Sequence, residues 1–361
     1  MARFVCVNCG NCYPNEGLPH HCPSCGGFFT LTDLVYDPKA KRGLPGMWAY
    51  RELMGVSENP VCYLGEGQTA LVERKTDTLS FYAKLESLNP SGSFKDRNSA
   101  IVSSFLRARG VRSVVEDSSG NAGASLALYT AAFGIDSKIF VPTGTTGPKV
   151  RQIIDSGAQV VPVAGPRENA HQAALAELLK GKDVYASHAM LPFGMAAYAT
   201  IAWEIFEQLG QLPDRVFCPI GHGSLFFGLL QGFKAISQYL GLSKRPGMIG
   251  VQPERCSPLA SAWRGQPFVK SGLPSLAEGT MVADPVRGKE ILAELKPGWD
   301  NLVAVAESEI WLTYSDLARM GIYVEPTSAM VYTALKNCPA AEGINVLVFS
   351  GNGLKFDDNK K

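Results

Sequence analysis

The segment Asn89–Arg97, NPSGSFKDR, places a lysine where amine chemistry is favoured. Lys95 opens a helical pattern, FKDRNSAIVSSFLRA, directly behind a Pro-Ser-Gly-Ser turn. A lysine near a helix N-terminus and within a partly apolar loop has a depressed amine pKa, which favours imine formation with a carbonyl compound. Taken alone, a lysine is far more often a solvated surface residue, so this interpretation needs support from the rest of the chain.

Two loops rich in Gly, Ser and Asn could bind anions. Ser118–Gly123 (SSGNAG) offers polar side chains beside the N–H groups of a turn, which suits a carboxylate or a phenolic oxygen; the alternative is an ordinary helix N-cap. Gly221–Ser224 (GHGS) precedes a helical run, and such a helix N-terminus binds phosphate. A plain tight connection is an equally good reading of GHGS. A third polar turn, Ser350–Leu354 (SGNGL), follows the last predicted strand.

Five of the nine cysteines lie within the first 25 residues. Two C-x-x-C pairs separated by 12 residues have the spacing of a zinc ribbon; their cysteines are Cys6, Cys9, Cys22 and Cys25. Four thiolates fill a tetrahedral site, so we expect a structural rather than a catalytic Zn²⁺. Cys12, His20 and His21 are interpreted as solvated loop residues.

The elements that must position these residues follow an alternating pattern. From about residue 95, short β-branched runs alternate with helical patterns. The predicted strands are 112–115, 138–141, 159–163, 183–186, 215–218, 248–251, 302–305 and 345–349. The predicted helices include 169–180, 196–209 and 308–320. This alternation predicts an α/β fold with parallel sheets covered by helices. Ligands of such folds bind at the carboxyl ends of the strands, where the polar loops lie.

Composition limits the function classes. The chain has 361 residues, with 46% hydrophobic and 19% charged residues and a formal net charge of +1. This length suits two domains and a small appendage. No basic surplus favours nucleic acid or an anionic membrane, and we expect neither as a partner. No signal-peptide core and no membrane-length apolar run is evident. We therefore expect a cytoplasmic protein with a small-molecule ligand.

NPSGSFKDR, SSGNAG and the C-terminal SGNGLK together resemble pyridoxal-phosphate (PLP) enzymes of the tryptophan-synthase-β fold, and threonine synthases most closely. The cofactor-lysine motif of that family, S/T-G-S-F-K-D-R, is matched by Ser91–Arg97. Leu64–Leu71 (LGEGQTAL) resembles the family run L-G-E-G-x-T-P-L, with Ala70 where proline is usual. Gly321–Ala329 (GIYVEPTSA) resembles another shared segment. The resemblance runs from about residue 48 to 356, in the order of the family.

The resemblance implies a role for each matching residue. Lys95 would hold PLP as a Schiff base and move protons, with Phe94 near the cofactor and Ser350 facing the pyridine nitrogen. Asn121 would bind the phenolic oxygen. The cofactor phosphate would be bound by Gly221, His222, Gly223, Ser224 and Leu225. The substrate carboxylate would be bound by Ser118, Ser119, Gly120, Asn121 and Ala122. A hydroxyl at the pyridine nitrogen makes a milder electron sink, suited to elimination and replacement at a β or γ carbon.

The resemblance also implies an architecture of two parallel-sheet domains preceded by a zinc ribbon. We expect the ribbon in residues 1–30, a large cofactor-binding domain in 31–95 plus 196–361, and a smaller substrate-side domain in 96–195. Relatives are usually dimers, so we expect a homodimeric lyase of amino-acid biosynthesis that acts on a small amino acid.

The match departs from threonine synthases where they bind the substrate phosphate. The corresponding stretch, Ala186–Ala197, has no arginine and offers only Ser187 and His188. The GHGS loop is also closer to those of cysteine-synthase-like relatives. A threonine synthase-like enzyme acting on O-phosphohomoserine is the leading hypothesis. A β-replacing cysteate or cysteine synthase-like enzyme acting on phosphoserine or another activated serine is the alternative. A non-catalytic PLP-binding relative is the third.

Overall fold

The computed structural model describes residues 2–56, 61–338 and 342–357. The strands are β1 (Arg3–Cys6), β2 (Phe29–Thr32), β3 (Leu71–Lys75), β4 (Ser80–Lys84), β5 (Ser113–Glu116), β6 (Asp136–Pro142), β7 (Gln159–Val163), β8 (Val184–Tyr185), β9 (Arg215–Pro219), β10 (Gly247–Pro253), β11 (Asn301–Val305) and β12 (Asn345–Val348). The α-helices are α1 (Lys95–Ala108), α2 (Asn121–Ala132), α3 (Pro148–Asp155), α4 (Arg167–Leu178), α5 (Phe193–Leu209), α6 (Ser224–Tyr239), α7 (Pro258–Trp263), α8 (Gly288–Glu294), α9 (Glu307–Arg319) and α10 (Pro326–Lys336).

The chain divides into two compact units. The first comprises Met1–Gly67, Asn89–Ala197 and Asp357–Lys361, and the second comprises Gln68–Leu88 and Tyr198–Phe356. These bounds differ from the predicted partition, which joined residues 31–95 to 196–361 and kept the ribbon apart. The ribbon belongs to the first unit because the rings of Phe4 and Tyr13 lie 5.2 Å and 4.9 Å from the ring of Phe193.

The first unit contains a four-stranded parallel sheet in the order β7-β6-β5-β8, and a separate antiparallel ribbon of β1 and β2. Side chains alternate across β6 and bury both faces of the sheet. Ile139 and Val141 pack with residues of α2 and α3. Phe140 packs with residues of α4. Helices therefore cover this parallel sheet on both sides, as its hydrophobic strands require.

The LGEG motif supplies a buried carboxylate to this unit. Glu66 is fully buried and accepts hydrogen bonds from Trp48 Nε1 at 2.7 Å and from the Tyr129 hydroxyl at 2.6 Å. The backbone N–H of Leu64 donates to the same carboxylate at 3.0 Å. Three donors compensate the cost of burying the charge. Glu66 thus links the motif to α2 and to a short 3₁₀ helix, Gly46–Tyr50.

The second unit contains a six-stranded sheet in the order β11-β10-β9-β12-β4-β3. Its strands are parallel except for β3, which pairs antiparallel with β4. A buried ion pair joins β4 to α5, because Lys84 Nζ lies 2.7 Å from Glu204 Oε2. The Lys84 ammonium also donates to the Thr69 carbonyl at 2.9 Å and to Gln208 at 3.0 Å. Each of the three N–H bonds of the Lys84 ammonium group therefore has an acceptor.

The two sheets confirm the predicted α/β class, with parallel strands and covering helices. The β3–β4 hairpin and α10 were not among the predicted elements. In the portions of the chain that the structure describes, none of the helices has both the length and the hydropathy that a bilayer crossing requires.

Candidate functional site

Lys95 is the first residue of α1, and the ammonium nitrogen lies 4.6 Å from the centroid of the Phe94 ring. The aspartate of the motif explains the geometry of the preceding turn. Asp96 is fully buried and accepts bonds from the backbone N–H of Ser91 at 2.6 Å and from the Ser125 hydroxyl at 2.5 Å. Gly92 in the turn has a φ of +85°, which favours glycine. The S-G-S-F-K-D-R segment therefore fixes the start of α1 against α2.

The SSGNAG loop follows β5 and opens α2. Ser118 Oγ accepts a bond of 3.3 Å from the N–H of Gly120, which is the N-cap of α2. A Cβ on Gly123 would collide with the carbonyl oxygen of Ser118, so the tight approach of loop and helix requires glycine. The first N–H groups of a helix have no partner within that helix. The five predicted substrate-binding residues, 118–122, therefore surround a helix N-terminus that suits a carboxylate.

Two acidic residues precede this loop and were not recognised in the sequence. Glu116 Oε1 lies 2.7 Å from His188 Nδ1. Asp117 accepts a bond of 2.6 Å from the Tyr185 hydroxyl, and its other oxygen lies 3.3 Å from His171 Nδ1. The sequence indicates these residues only by placing two acidic residues between a β-branched run and SSGNAG. Their partners come from distant elements.

The pKa values of these two buried carboxyl groups shift in opposite directions. Burial raises the pKa of Glu116 well above its usual range, and the neighbouring charge of Asp117 adds to that effect. Burial also acts to raise the pKa of Asp117, but hydrogen bonds from His171 and Tyr185 outweigh it and lower the pKa. The bond to Asp117 in turn raises the pKa of His171. Asp117 is thus held as a carboxylate, paired with His171.

The GHGS loop of the second unit lies between β9 and α6. Gly223 is the N-cap of α6, with a φ of +96°. A Cβ there would lie 2.7 Å from Ile291 Cδ1 and 2.9 Å from Arg287 Cβ, so both conformation and space demand glycine. The N–H of Arg287 donates to the His222 carbonyl at 3.0 Å. The loop is therefore a glycine cradle at the N-terminus of a 16-residue helix, which has the donors that a phosphate needs.

Ser350 follows β12 and is buried beside the EPTSA segment. Its hydroxyl lies 3.0 Å from that of Ser328 on α10, and the N–H of Gly351 donates to Ser328 at 2.9 Å. Two separate sequence motifs, GIYVEPTSA and SGNGL, thus meet through serine hydroxyls. Because β9 and β12 are parallel neighbours, Ser350 and the GHGS loop lie at the same edge of the six-stranded sheet.

The four cysteines of the ribbon form a compact thiol cluster. The sulfur atoms of Cys6, Cys9, Cys22 and Cys25 lie within 4.8 Å of one another. Three of the Sγ···Sγ distances are 3.4, 3.7 and 3.5 Å. A tetrahedral Zn²⁺ with bonds of about 2.3 Å needs edges of about 3.8 Å, so the donor set fits zinc. Gly10 and Gly26, which follow the two pairs, have φ of +73° and +71°, and both knuckles turn alike.

Other basic and polar residues are placed as follows. Ser187 and His188 follow β8, whose carboxyl end lies beside that of β5. Arg151, on α3, forms an exposed ion pair with Asp155 at 2.8 Å. His20 packs edge-on against the Tyr185 ring, with centroids 5.4 Å apart, and is half-buried rather than solvated.

Comparison with known proteins decides the family. The family described as "Pyridoxal-phosphate dependent enzyme" matches residues 63–351.

This chain belongs to the pyridoxal-phosphate dependent enzyme family. It is 30% identical to a threonine synthase of Methanosarcina acetivorans, over 93% of this chain and 86% of that protein. It is 31% identical to a threonine synthase of Methanocaldococcus jannaschii, over 98% of this chain and 93% of that protein. These matches confirm the predicted resemblance and the predicted class, a PLP-dependent enzyme similar to threonine synthases.

Solved structures confirm the fold of this PLP-dependent enzyme. Maize serine racemase superposes with a TM-score of 0.69 at 19% identity, covering 81% of this chain and 89% of the racemase. The L-serine ammonia-lyase of the fungus Rhizomucor miehei superposes with a TM-score of 0.70 at 19% identity, covering 83% of this chain and 97% of the lyase. At these identities the likeness concerns the fold alone.

Proposed function

We propose that this PLP-dependent enzyme is a threonine synthase that converts O-phosphohomoserine to threonine and phosphate. The observation that carries the proposal is the similarity to the two archaeal threonine synthases over nearly the full length of the chain. The reaction combines elimination of a phosphate from the γ carbon with addition of water at the β carbon. It therefore needs a proton-moving group beside the amino acid and an electron sink.

When bound, PLP supplies the sink for negative charge at the substrate's α carbon. Lys95 would hold the cofactor through its aldehyde and then take and return substrate protons. The position at the start of α1 supports this role, because the bonds to Asp96 fix the turn before it. Phe94 would lie at the cofactor, since its ring already contacts the Lys95 amine.

Anion binding is assigned to the two helix N-termini. Ser118, Ser119 and the N–H groups of residues 120–122 would hold the substrate carboxylate at the start of α2. Asn121 would bind the phenolic oxygen of the cofactor. The cofactor phosphate would be held by residues 221–225, where the first turn of α6 adds its dipole. A Cβ at Gly221 or Gly223 would lie 3.0 Å or less from neighbouring atoms, so the loop can take this course only with glycine at both positions.

Ser350 would face the pyridine nitrogen. A hydroxyl does not donate a full proton to the ring as an aspartic acid does, so the ring keeps less positive charge. The neighbouring Ser328 hydroxyl would fix its orientation. This arrangement supports elimination and replacement chemistry.

For the ribbon we propose one structural Zn²⁺ on Cys6, Cys9, Cys22 and Cys25. We also keep the predictions of a homodimer and of a cytoplasmic location. Light scattering on the purified holoenzyme would measure its mass, with twice the 38.8 kDa of the chain as the expected result.

The reaction is tested by offering the holoenzyme a panel of phosphorylated, acetylated and free hydroxyamino acids. We expect phosphate release and threonine formation in equal amounts from O-phosphohomoserine, and none from the Lys95→Ala variant. Preferential turnover of O-phosphoserine or of an unphosphorylated amino acid would overturn the assignment in favour of the β-replacing alternative.

A further inference from the structure

Glu116 and His188 form a carboxyl–imidazole pair that the proposed function does not yet use. Oε1 of Glu116 lies 2.7 Å from Nδ1 of His188, with side chains 1% and 12% exposed. The second carboxylate oxygen, Oε2, is buried and has no hydrogen-bond partner among the described residues. A carboxyl group held against Nδ1 fixes the plane of the imidazole and occupies that nitrogen. Proton transfer by His188 therefore takes place at Nε2.

The pair lies at the edge of the sheet where the substrate is expected. Glu116 is the last residue of β5, and Ser118 of the carboxylate-binding loop follows it by two positions. His188 follows β8, the parallel neighbour of β5. The charge of Lys95 acts directly on Glu116. Glu116, His188 and the proposed carboxylate-binding loop therefore lie at one sheet edge within the first unit.

We propose that His188 is the residue that protonates the leaving oxygen of the substrate, with Glu116 as its positioning residue. The inference rests on the proposed elimination chemistry. A carboxylate-oriented histidine is a common device for general acid–base catalysis at neutral pH.

The proton and electron balance of this step closes. Lys95 takes a proton from a C–H bond, and the electrons of that bond form the new C=C bond. The C–O bond to the leaving group breaks, and its electron pair stays on the oxygen. That oxygen takes a proton from Nε2 of His188. When a water molecule later adds to one carbon of the double bond, it gives a proton back to Nε2, and Lys95 returns its proton to the other carbon.

Other charged groups around the pair will shape its titration. Asp117 and Arg167 both act on Glu116 electrostatically, in opposite directions, together with Lys95. Asp117 is itself paired with His171 and bonded to Tyr185. A pH profile therefore has to be compared between variants rather than interpreted from the wild type alone.

The test separates the two proton-transfer tasks in the intact holoenzyme. With the substrate of the panel that wild type turns over fastest, α-proton exchange in D₂O reports Lys95, and release of the leaving group reports His188. For His188→Gln we expect exchange within about threefold of wild type and release lowered by about 100-fold or more. Glu116→Gln should lower release by a smaller factor and shift its pH profile.

His171→Gln is the matched control, because His171 is also paired with a buried carboxylate on the same sheet edge. We expect its ratio of exchange to release to equal that of wild type. Cofactor content and circular dichroism verify folding of each variant. Equal loss of exchange and release in His188→Gln, or no loss of release, would overturn the inference. Failure of wild type to release phosphate from O-phosphohomoserine would instead refute the proposed reaction, while the comparison proceeds on the preferred substrate.

Discussion

The hydroxyl of Tyr185 donates a 2.6 Å hydrogen bond to Asp117, the residue directly before Ser118. The same tyrosine contacts the N-terminal ribbon, because the His20 ring packs edge-on against the Tyr185 ring. One buried tyrosine thus contacts both the ribbon and the residue that leads into the proposed carboxylate loop. The ribbon therefore contributes to the position of that loop.

Tyr185→Phe removes the bond to Asp117 while keeping the ring contact. A hydrogen bond to a charged group contributes about 1.5 to 3 kcal/mol, so we expect unfolding free energy to fall by about that amount. We also expect KM for the amino-acid substrate to rise more than kcat falls. Chemical denaturation and steady-state kinetics measure both. Tyr82→Phe, at a partly buried ring, serves as control and should change stability by less than about 0.5 kcal/mol. An unchanged KM in Tyr185→Phe would refute the link.

The His171–Asp117 pair makes stability depend on pH. The pKa of His171 is raised in the folded state, chiefly by its hydrogen bond to Asp117. A histidine whose pKa is raised by folding contributes its full stabilisation below its pKa in the unfolded state, about 6.5. This contribution is lost as the pH rises through its pKa in the folded state. His171→Gln should therefore differ most from wild type in unfolding free energy below about pH 6, and the difference should shrink at higher pH. A difference that stays constant with pH would contradict this pairing.

Gly223→Ala tests the phosphate cradle. The new Cβ would meet Ile291 and Arg287 at 2.7 and 2.9 Å, in a left-handed conformation that costs about 1 to 2 kcal/mol for other residues. We expect PLP affinity to fall by at least about tenfold, which corresponds to about 1.4 kcal/mol. Gly241→Ala is the control, because Gly241 also has a positive φ, +67°, but a Cβ there meets nothing within 4 Å. PLP titration of the apoenzymes measures the affinities, and equal losses in both variants would argue against the cradle.

Metal content tests the ribbon. Protein purified without chelators should contain one zinc per chain, and Cys22→Ser should lose the metal and unfold at a lower temperature, because metal binding energy is folding energy in such sites. Cys12→Ser is the matched variant, since Cys12 is exposed and lies outside the four-sulfur cluster. It should keep the full metal content. Absence of zinc and iron from wild type would show that the cluster is not a metal site.

Elements with a clear hydrophobic period were predictable from the sequence. The strand 159–163 was predicted with its observed bounds, and the predicted helix 308–320 is observed as Glu307–Arg319. The β3–β4 hairpin was not predicted, because neither LVERK nor SFYAK shows the strict apolar–polar alternation that marks a strand. Lys84, at the end of β4, is buried only because Glu204, 120 residues away, supplies its countercharge.

The site was predictable where backbone conformation dictates the residue type. The SSGNAG and GHGS loops do precede helices, and Gly123 and Gly223 are required by close contacts. The partners of Glu116 and Asp117 were not predictable. His188 is 72 positions from Glu116, and Tyr185 is 68 positions from Asp117. Only the pairing of β5 with β8 brings these residues together, and no local spacing encodes it.

Lys95 is the residue proposed to carry the cofactor, and chemical trapping of the imine identifies that residue. Reduction of the purified holoenzyme with borohydride would fix PLP to the amine that holds it, and peptide mass spectrometry would locate the modified residue. We predict a single modified lysine, Lys95, and loss of the cofactor absorbance band in Lys95→Ala. A modified lysine elsewhere in the chain, or a protein that binds no PLP, would contradict the account.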